Sequence, residues 1–314
     1  MVNDSVIEDS ATGGFEDATA PLIGIIGGSG LYQLFGSGAA VLHRIATPYG
    51  PTSAGVAVGE FAGRRVAFLP RHGADHSVAP HRIGYRANVW ALASLGVRAI
   101  VSTTAVGSIS PQLQPGAFVI PDQLIDRTWG RDDSFFDSGE VQHLSFADPY
   151  CPQLRRMALA ALDAVGESAA GTGTTVVVQG PRFSTRAESR WFQAAGADIV
   201  NMTQYPEAAL AAELNIGYVN LSLVTDTDAG DVAGEAVEAQ VVFDRLGKAS
   251  GRIRAALAAI VAAIPANYTP RAAIAAGAVR GVLAARVPDD GPASMGGPAP
   301  KGVRAQDTVT AGPD

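Results

Sequence analysis

The sequence predicts an α/β protein: a single domain with a central mixed β-sheet flanked by helices on both faces. Three observations carry that expectation. Short apolar runs, several rich in Ile and Val, alternate along the chain with Ala-rich stretches of helical spacing. Those runs are nearly continuous rather than alternately apolar and polar, so their strands need cover on two faces. Between residues 21 and 286 there is no linker and no internal repeat, and one domain is the simplest organisation.

In chain order, "LIGIIGG" (22–28) reads as a strand closed by a Gly turn, and "RVAFLP" (65–70) and "AIVSTTA" (99–105) as further strands. Between those two, "RANVWALASLG" (86–96) has apolar residues at helical spacing and a Gly stop. "GAFVIPDQLID" (116–126), "TTVVVQG" (174–180), "DIVNMT" (198–203) and "IGYVNLSLVTD" (216–226) complete the strands. "PQLRRMALAALDAVG" (152–166), "TRAESRWFQAAG" (185–196), "PEAALAAELN" (206–215) and the segment from about residue 236 to 264 read as helices. Residues 1–20 lack periodicity, and 287–314 are rich in Pro, Gly, Ala and Asp with few large apolar residues. Both tails are expected to be disordered.

Composition excludes several classes. The chain of 314 residues has a net charge of −7 and no Lys/Arg run, so no nucleic-acid partner is expected. Its single cysteine, Cys151, permits neither an internal disulfide nor a multi-cysteine metal cage. The acidic N-terminus is unlike a signal peptide, and the apolar runs stop well short of the roughly 20 residues of a membrane span. A cytoplasmic protein with no membrane partner is the expectation.

In open α/β sheets ligands sit beyond the carboxyl ends of strands, so the polar residues there are the candidates. "GGSG" (27–30) offers close backbone approach and the Ser29 hydroxyl; a tight structural turn explains it equally well. It fits neither the dinucleotide glycine pattern nor a Walker A loop. "LPRHGADH" places Arg71, with its planar fork, and His72, as an additional donor, just past a strand. His72, His76 and His81 lack the partners of a zinc site, so no metal is expected. "STTAVGS" supplies Thr104; "QGPRFSTRAES" supplies Phe183 and Ser184 before a helix cap; "NMTQYPE" supplies Met202 and Thr203, then Glu207. One phosphate-sized anion held by Ser29, Arg71, His72, Thr104 and Thr203 explains these strand ends together. With no acidic pair beside it to hold Mg²⁺, free phosphate fits better than a nucleoside triphosphate. "VTDTDAG" puts Asp226 and Asp228 two residues apart, either as a polar exit from a strand or as a reading site.

These segments, with "IGIIGGSGLY", "TPYGPTS" and "YRANVWAL", occur in an order that closely resembles the trimeric purine nucleoside phosphorylase family, and within it the methylthioadenosine phosphorylases, over about residues 22–265. The resemblance implies phosphorolysis: inorganic phosphate and a nucleoside give free base and pentose 1-phosphate, with phosphate as co-substrate and no cofactor. It implies a homotrimer and a phosphate site of Ser29, Arg71, His72, Thr104, Thr203 and the Ala105 backbone N–H. Met202 would lie beneath the ribose, and Phe183 and Ser184 would line the base. Asp226 would share a proton with purine N7, and Asp228 would partner the 6-amino group or Asp226; with His72 these are the implied catalytic residues. The 5′ pocket would hold Val242, Phe243 and His143 from a neighbouring copy. Relatives that prefer 6-oxopurines carry Asn where this chain has Asp226, so an adenine nucleoside, 5′-methylthioadenosine, is the expected substrate and inosine or guanosine the alternative. Gln204-Tyr205 replaces a common Thr-Val pair and Gln179 a Glu of some relatives, which predicts altered tolerance at the sugar or base.

Overall fold

In the computed structural model, residues 22–229 and 237–286 are described. They run β1 (Leu22–Gly27), β2 (Ala40–His43), β3 (Val56–Phe61), β4 (Arg64–Pro70), α1 (Tyr85–Ser94), β5 (Val97–Ser108), β6 (Phe118–Val119), β7 (Gln123–Arg127) and α2 (Pro152–Ala164). Then follow β8 (Ala169–Ala170), β9 (Thr174–Val178), α3 (Arg186–Ala194), β10 (Ile199–Asn201), α4 (Gln204–Glu213), β11 (Gly217–Asp226), α5 (Ala239–Ala263) and α6 (Ala276–Leu283). The expected disordered tails, 1–20 and 287–314, lie outside the described residues.

The strands form one mixed sheet in the order β2-β3-β4-β1-β5-β10-β9-β7, with a branch from β5 that runs β11-β6-β8. The continuous apolar runs have the reason the sequence predicts. Successive strand residues point to opposite faces, and both faces are covered. Ile23 and Ile25 of β1 join one core with Leu154 and Leu162 of α2 and Leu246, Leu257 and Ile260 of α5. Leu22 and Ile26 join the other, with Val89 and Trp90 of α1 and Leu210 of α4.

"GAFVIPDQLID" departs from the single strand expected there. Pro121 has no N–H to give a ladder, and the run divides into β6 and β7 on either side of it. The antiparallel β2–β3–β4 edge and α6 were not anticipated. Among the described residues, no helix is long and apolar enough to cross a membrane.

The long strand β5 positions the site. It pairs with β1 as far as Ser102, with β10 only at Gly107 and Ser108, and with β11 on its other side throughout. The edge from Thr103 to Val106 is thus left without a strand neighbour on the β1/β10 side, and a cleft opens there.

Candidate active site

A cavity of about 380 Å³ occupies this gap. Its wall includes Gly28, Ser29, Arg71, His72, Thr104, Ala105, Phe183, Ser184, Met202, Thr203, Asp226, Asp228, Val242 and Phe243, from strand ends, the open edge of β5, the loop before α3 and the start of α5. His143 is not part of the wall; it lies exposed in the connection between β7 and α2.

At the end where an anion is expected, Arg71 behaves differently from the free fork the sequence suggests. It is 1% exposed, and its guanidinium binds the Glu207 carboxylate through Nε and through Nη2 (3.0 Å). Nη2 also donates to Ser102 Oγ at 2.6 Å and Nη1 to the Thr103 carbonyl at 2.9 Å. Four of five N–H groups are therefore spent on the protein, and one on Nη1 remains. Gly28 is the residue that lets the loop lie against this group: an added Cβ would run into the Thr103 carbonyl and stand 3.0 Å from Nη1. The Gly28 N–H is itself committed, to Thr103 Oγ1 at 3.0 Å.

His72 is an acceptor here rather than an additional donor. Its Nδ1 lies 2.9 Å from the Val78 carbonyl, which can only accept, so Nδ1 carries the proton. Burial, and then the neighbouring Arg71, push the imidazole down to about 4. The neutral ring is left with a lone pair on Nε2, which has no partner among the described residues.

The Thr104 hydroxyl is also turned into the sheet, donating to Asn220 Oδ1 at 3.0 Å. Its lone pairs meet Gln204 Nε2 at 3.2 Å, and Gln204 is itself tied to Tyr150, Asn220 and Ser222. The Ala105 carbonyl accepts from Asn201 Nδ2 at 3.4 Å on the open side of β5. In a strand the N–H and C=O of one residue share a side, so the Ala105 N–H faces the cleft as well. Asn201 Oδ1 takes the backbone N–H groups of Thr203 and Gln204, both at 2.7 Å, and so fixes Thr203 at the start of α4.

At the opposite end stands the acid pair. Asp226 Oδ1 accepts the Asp228 N–H at 2.9 Å, which bends the chain so that both carboxyls reach one cavity. Asp228 takes the left-handed region at φ 51, which Asp tolerates better than most residues. Burial raises Asp226 to about 6, with the Asp228 charge adding to it; burial raises Asp228 too, opposed by the Ser189 hydroxyl. The Thr225 hydroxyl lies 2.8 Å from Asp226 Oδ2 and 3.3 Å from the Val106 carbonyl. It can donate to an ionised Asp226, or accept from a protonated one while donating to Val106. The site therefore accommodates the carboxyl in both protonation states.

Phe183 and Ser184 flank this end just before α3, whose first turn is closed by a Thr185–Glu188 capping box. A third corner is formed by Val242, Phe243 and His76, whose ring meets Phe243 edge-on at 5.4 Å. The two departures expected to alter tolerance lie elsewhere. Gln204 points into the sheet, Tyr205 OH donates to Asp133 at 2.7 Å, and Gln179 Oε1 accepts from Trp129 N at 3.1 Å; none lines the cavity. Among the described residues no group of three His, Cys, Asp or Glu is arranged to hold a metal ion.

A family model described as the phosphorylase superfamily matches residues 22–263. The chain is 56% identical over 222 residues to the S-methyl-5′-thioadenosine phosphorylase of Mycolicibacterium smegmatis, covering 71% of this chain and 83% of that one. It is 48% identical over 253 residues to the purine nucleoside phosphorylase of Streptomyces coelicolor, covering 78% and 90%. The fold superposes on methylthioadenosine phosphorylase from Schistosoma mansoni in complex with adenine with a TM-score of 0.76, at 33% identity, covering 84% of this chain and 97% of that one.

Proposed function

The chain belongs to the phosphorylase superfamily, and from that premise we infer that it cleaves S-methyl-5′-thioadenosine with inorganic phosphate to adenine and 5-methylthioribose 1-phosphate. It is a pentosyltransferase, and similar relatives named S-methyl-5′-thioadenosine phosphorylase support the substrate. The observation that carries the reading is one cavity lined by Ser29, Arg71, His72 and Thr203 at one end and by the buried acid pair Asp226 and Asp228 at the other.

The reaction divides between those ends. A phosphate oxygen attacks C1′ as the C1′–N9 bond breaks and its electron pair passes to the purine. The sugar in transit is oxocarbenium-like, so an adjacent phosphate dianion stabilises it before bonding to it. Ser29, the remaining Arg71 N–H, the Ala105 N–H and Thr203 hold that phosphate, and Thr104 shapes the wall. Hydrogen phosphate carries the proton that His72 Nε2 accepts. The departing base needs its charge neutralised at N7, and Asp226 supplies that proton. A carboxyl near 6 holds a proton far more readily near neutrality than an ordinary aspartate.

Asp226 and Asp228 also read the base. An acceptor pairs with a 6-amino group and repels a 6-oxo oxygen, so adenine nucleosides are preferred. Met202 forms the floor under the ribose; Phe183 and Ser184 flank the base; Val242 and Phe243 face the 5′ substituent. No cofactor is required. A homotrimer in which a neighbouring copy brings His143 to the 5′ corner completes the reading. Comparing kcat/KM for phosphorolysis of methylthioadenosine and inosine tests it: methylthioadenosine should be the better substrate, and faster inosine turnover would transfer the chain to the 6-oxopurine class.

A further inference from the structure

Arg131 stands behind the cavity without lining it, in the connection between β7 and α2. Its guanidinium has five N–H groups, and all five go to neutral oxygens. Nη2 donates to the Met202 and Gln179 carbonyls, both at 3.0 Å, and Nη1 to the Tyr205 carbonyl at 2.6 Å. Nε reaches Gln179 Oε1 at 3.3 Å. The second Nη1 bond goes to Tyr85 OH at 3.1 Å, and that hydroxyl donates in turn to the Pro80 carbonyl at 2.8 Å. One planar fork thus ties together the ends of β9 and β10, the start of α4 and the turn before α1. The connection that carries it is itself anchored. Trp129 N–H also donates to Gln179 Oε1 at 3.1 Å, Tyr205 OH to Asp133 at 2.7 Å, and Phe135 N–H to Glu213 at 2.7 Å.

We propose that Arg131 is a positioning residue for the sugar: by holding the Gln179, Met202 and Tyr205 carbonyls it fixes the floor that aligns C1′ between phosphate and base. The inference rests on the phosphorolysis reading above, in which Met202 lies beneath the ribose. Phosphate and base are held there at opposite ends of the cavity, so the height and tilt of the floor decide whether C1′ meets the attacking oxygen in line. The floor has little slack. Gly180, directly after the Gln179 carbonyl that Arg131 holds, takes φ 63, and a Cβ on it would stand 2.6 Å from Met202 Sδ and 3.3 Å from Pro80. Met202 and Pro80 both line the cavity, as do Pro181, Phe183 and Ser184 just beyond Gly180. A shift of the guanidinium therefore moves the floor and the wall beside the base together. A displacement of about 1 Å at a reacting centre costs about a hundredfold in rate, while the groups that bind phosphate at the far end keep their places.

The test measures kcat and both KM values for wild type, Arg131→Ala and Arg131→Lys, using whichever of methylthioadenosine and inosine the wild type cleaves faster. Arg131→Ala should lower kcat about a hundredfold and change KM for phosphate little. Methylguanidinium, which resupplies the fork, should raise the kcat of that variant about tenfold, the factor for regaining one hydrogen bond, and leave wild type unchanged. Arg131→Lys keeps the charge but reaches fewer carbonyls, so its kcat should fall in the same direction by less. Wild-type kcat in both variants, or in Arg131→Lys where Arg131→Ala does not fold, overturns the proposal. So does a loss in Arg131→Ala that falls equally on KM for phosphate and is untouched by methylguanidinium, the mark of a disordered cleft. A wild type that cleaves neither nucleoside overturns the phosphorolysis reading, and the proposal with it.

Discussion

Arg71 and Glu207, 136 residues apart, form a buried ion pair beneath the end of the cavity proposed to hold phosphate. Glu207 is further held by Tyr218 OH at 3.0 Å. The pair's charges offset each other, so the site offers phosphate an oriented N–H rather than a free cation. Glu207→Ala leaves a buried guanidinium without its partner, a defect that costs about 3–5 kcal/mol. Chemical denaturation should show that loss. Glu207→Gln keeps the shape but loosens the orientation, and it should raise KM for phosphate more than it changes KM for the nucleoside. Equal effects on both constants would assign Glu207 to folding alone.

Gly107 and Asp226 are cross-strand partners between β5 and β11, at a register shift after Val224. A Cβ on Gly107 would stand 2.8 Å from Asp226 Oδ1 and 3.2 Å from Asp228. Gly107→Ala should therefore displace the acid pair and lower kcat/KM for the nucleoside by about a hundredfold, the scale of a mispositioned catalytic group. The apparent phosphate affinity, set at the other end of the cleft, should move much less. Retention of full activity would show that the carboxyl is not held by this contact.

These two relationships mark where the sequence stopped being readable. The sheet was legible because burial on both faces favours apolar runs, unbroken in Leu22–Gly27 and interrupted by the buried Asn220 and Ser222 in Gly217–Asp226. The candidate residues were legible because strand ends carry ligand groups, and motif order gathered them into one family. The hydrogen-bond directions were not. Arg71, His72 and Thr104 each read as donors into a site, yet Glu207, the Val78 carbonyl and Asn220 Oδ1 take most of what they give. Those partners are fixed by tertiary contact, and nothing in local pattern marks them. His76 was visible only as an incomplete metal motif, because its partners Tyr32 and Phe243 lie far from it along the chain.

The orientation of His72 separates two anions of similar shape. At mildly alkaline pH phosphate is chiefly hydrogen phosphate, with one proton to give, and sulfate has none. With the Nδ1 proton committed to Val78, sulfate would set a lone pair against the Nε2 lone pair. Sulfate should compete with phosphate at least about tenfold more weakly than arsenate does, the equivalent of one hydrogen bond. His72→Asn, whose amide can donate, should narrow that gap. Equal inhibition by sulfate and arsenate in wild type would show that Nε2 carries a proton in the complex.

Asp226 gives the pH dependence a sign. Its carboxyl is raised from 3.8 to about 6, chiefly by burial, and the proposed mechanism uses its protonated form. With phosphate saturating, kcat/KM for the nucleoside should fall as pH rises through a limb centred at or somewhat above 6. Because Asp226 and Asp228 share one environment, that limb belongs to the pair. Asp226→Asn removes the acid: it should flatten the limb, lower kcat/KM for methylthioadenosine by about a hundredfold, and shift preference toward inosine. Stability should move the other way. The folded state holds this proton between 3.8 and about 6 while the unfolded chain has released it, so the Asp226 contribution to stability declines as pH rises through that window. At neutral pH the ionised carboxyl is held in an unfavourable place, and Asn relieves it. The variant should then unfold at a higher temperature than wild type, by the equivalent of about 1 kcal/mol or more. A variant that retains the descending limb, with no gain in stability, would remove Asp226 from the acid's role.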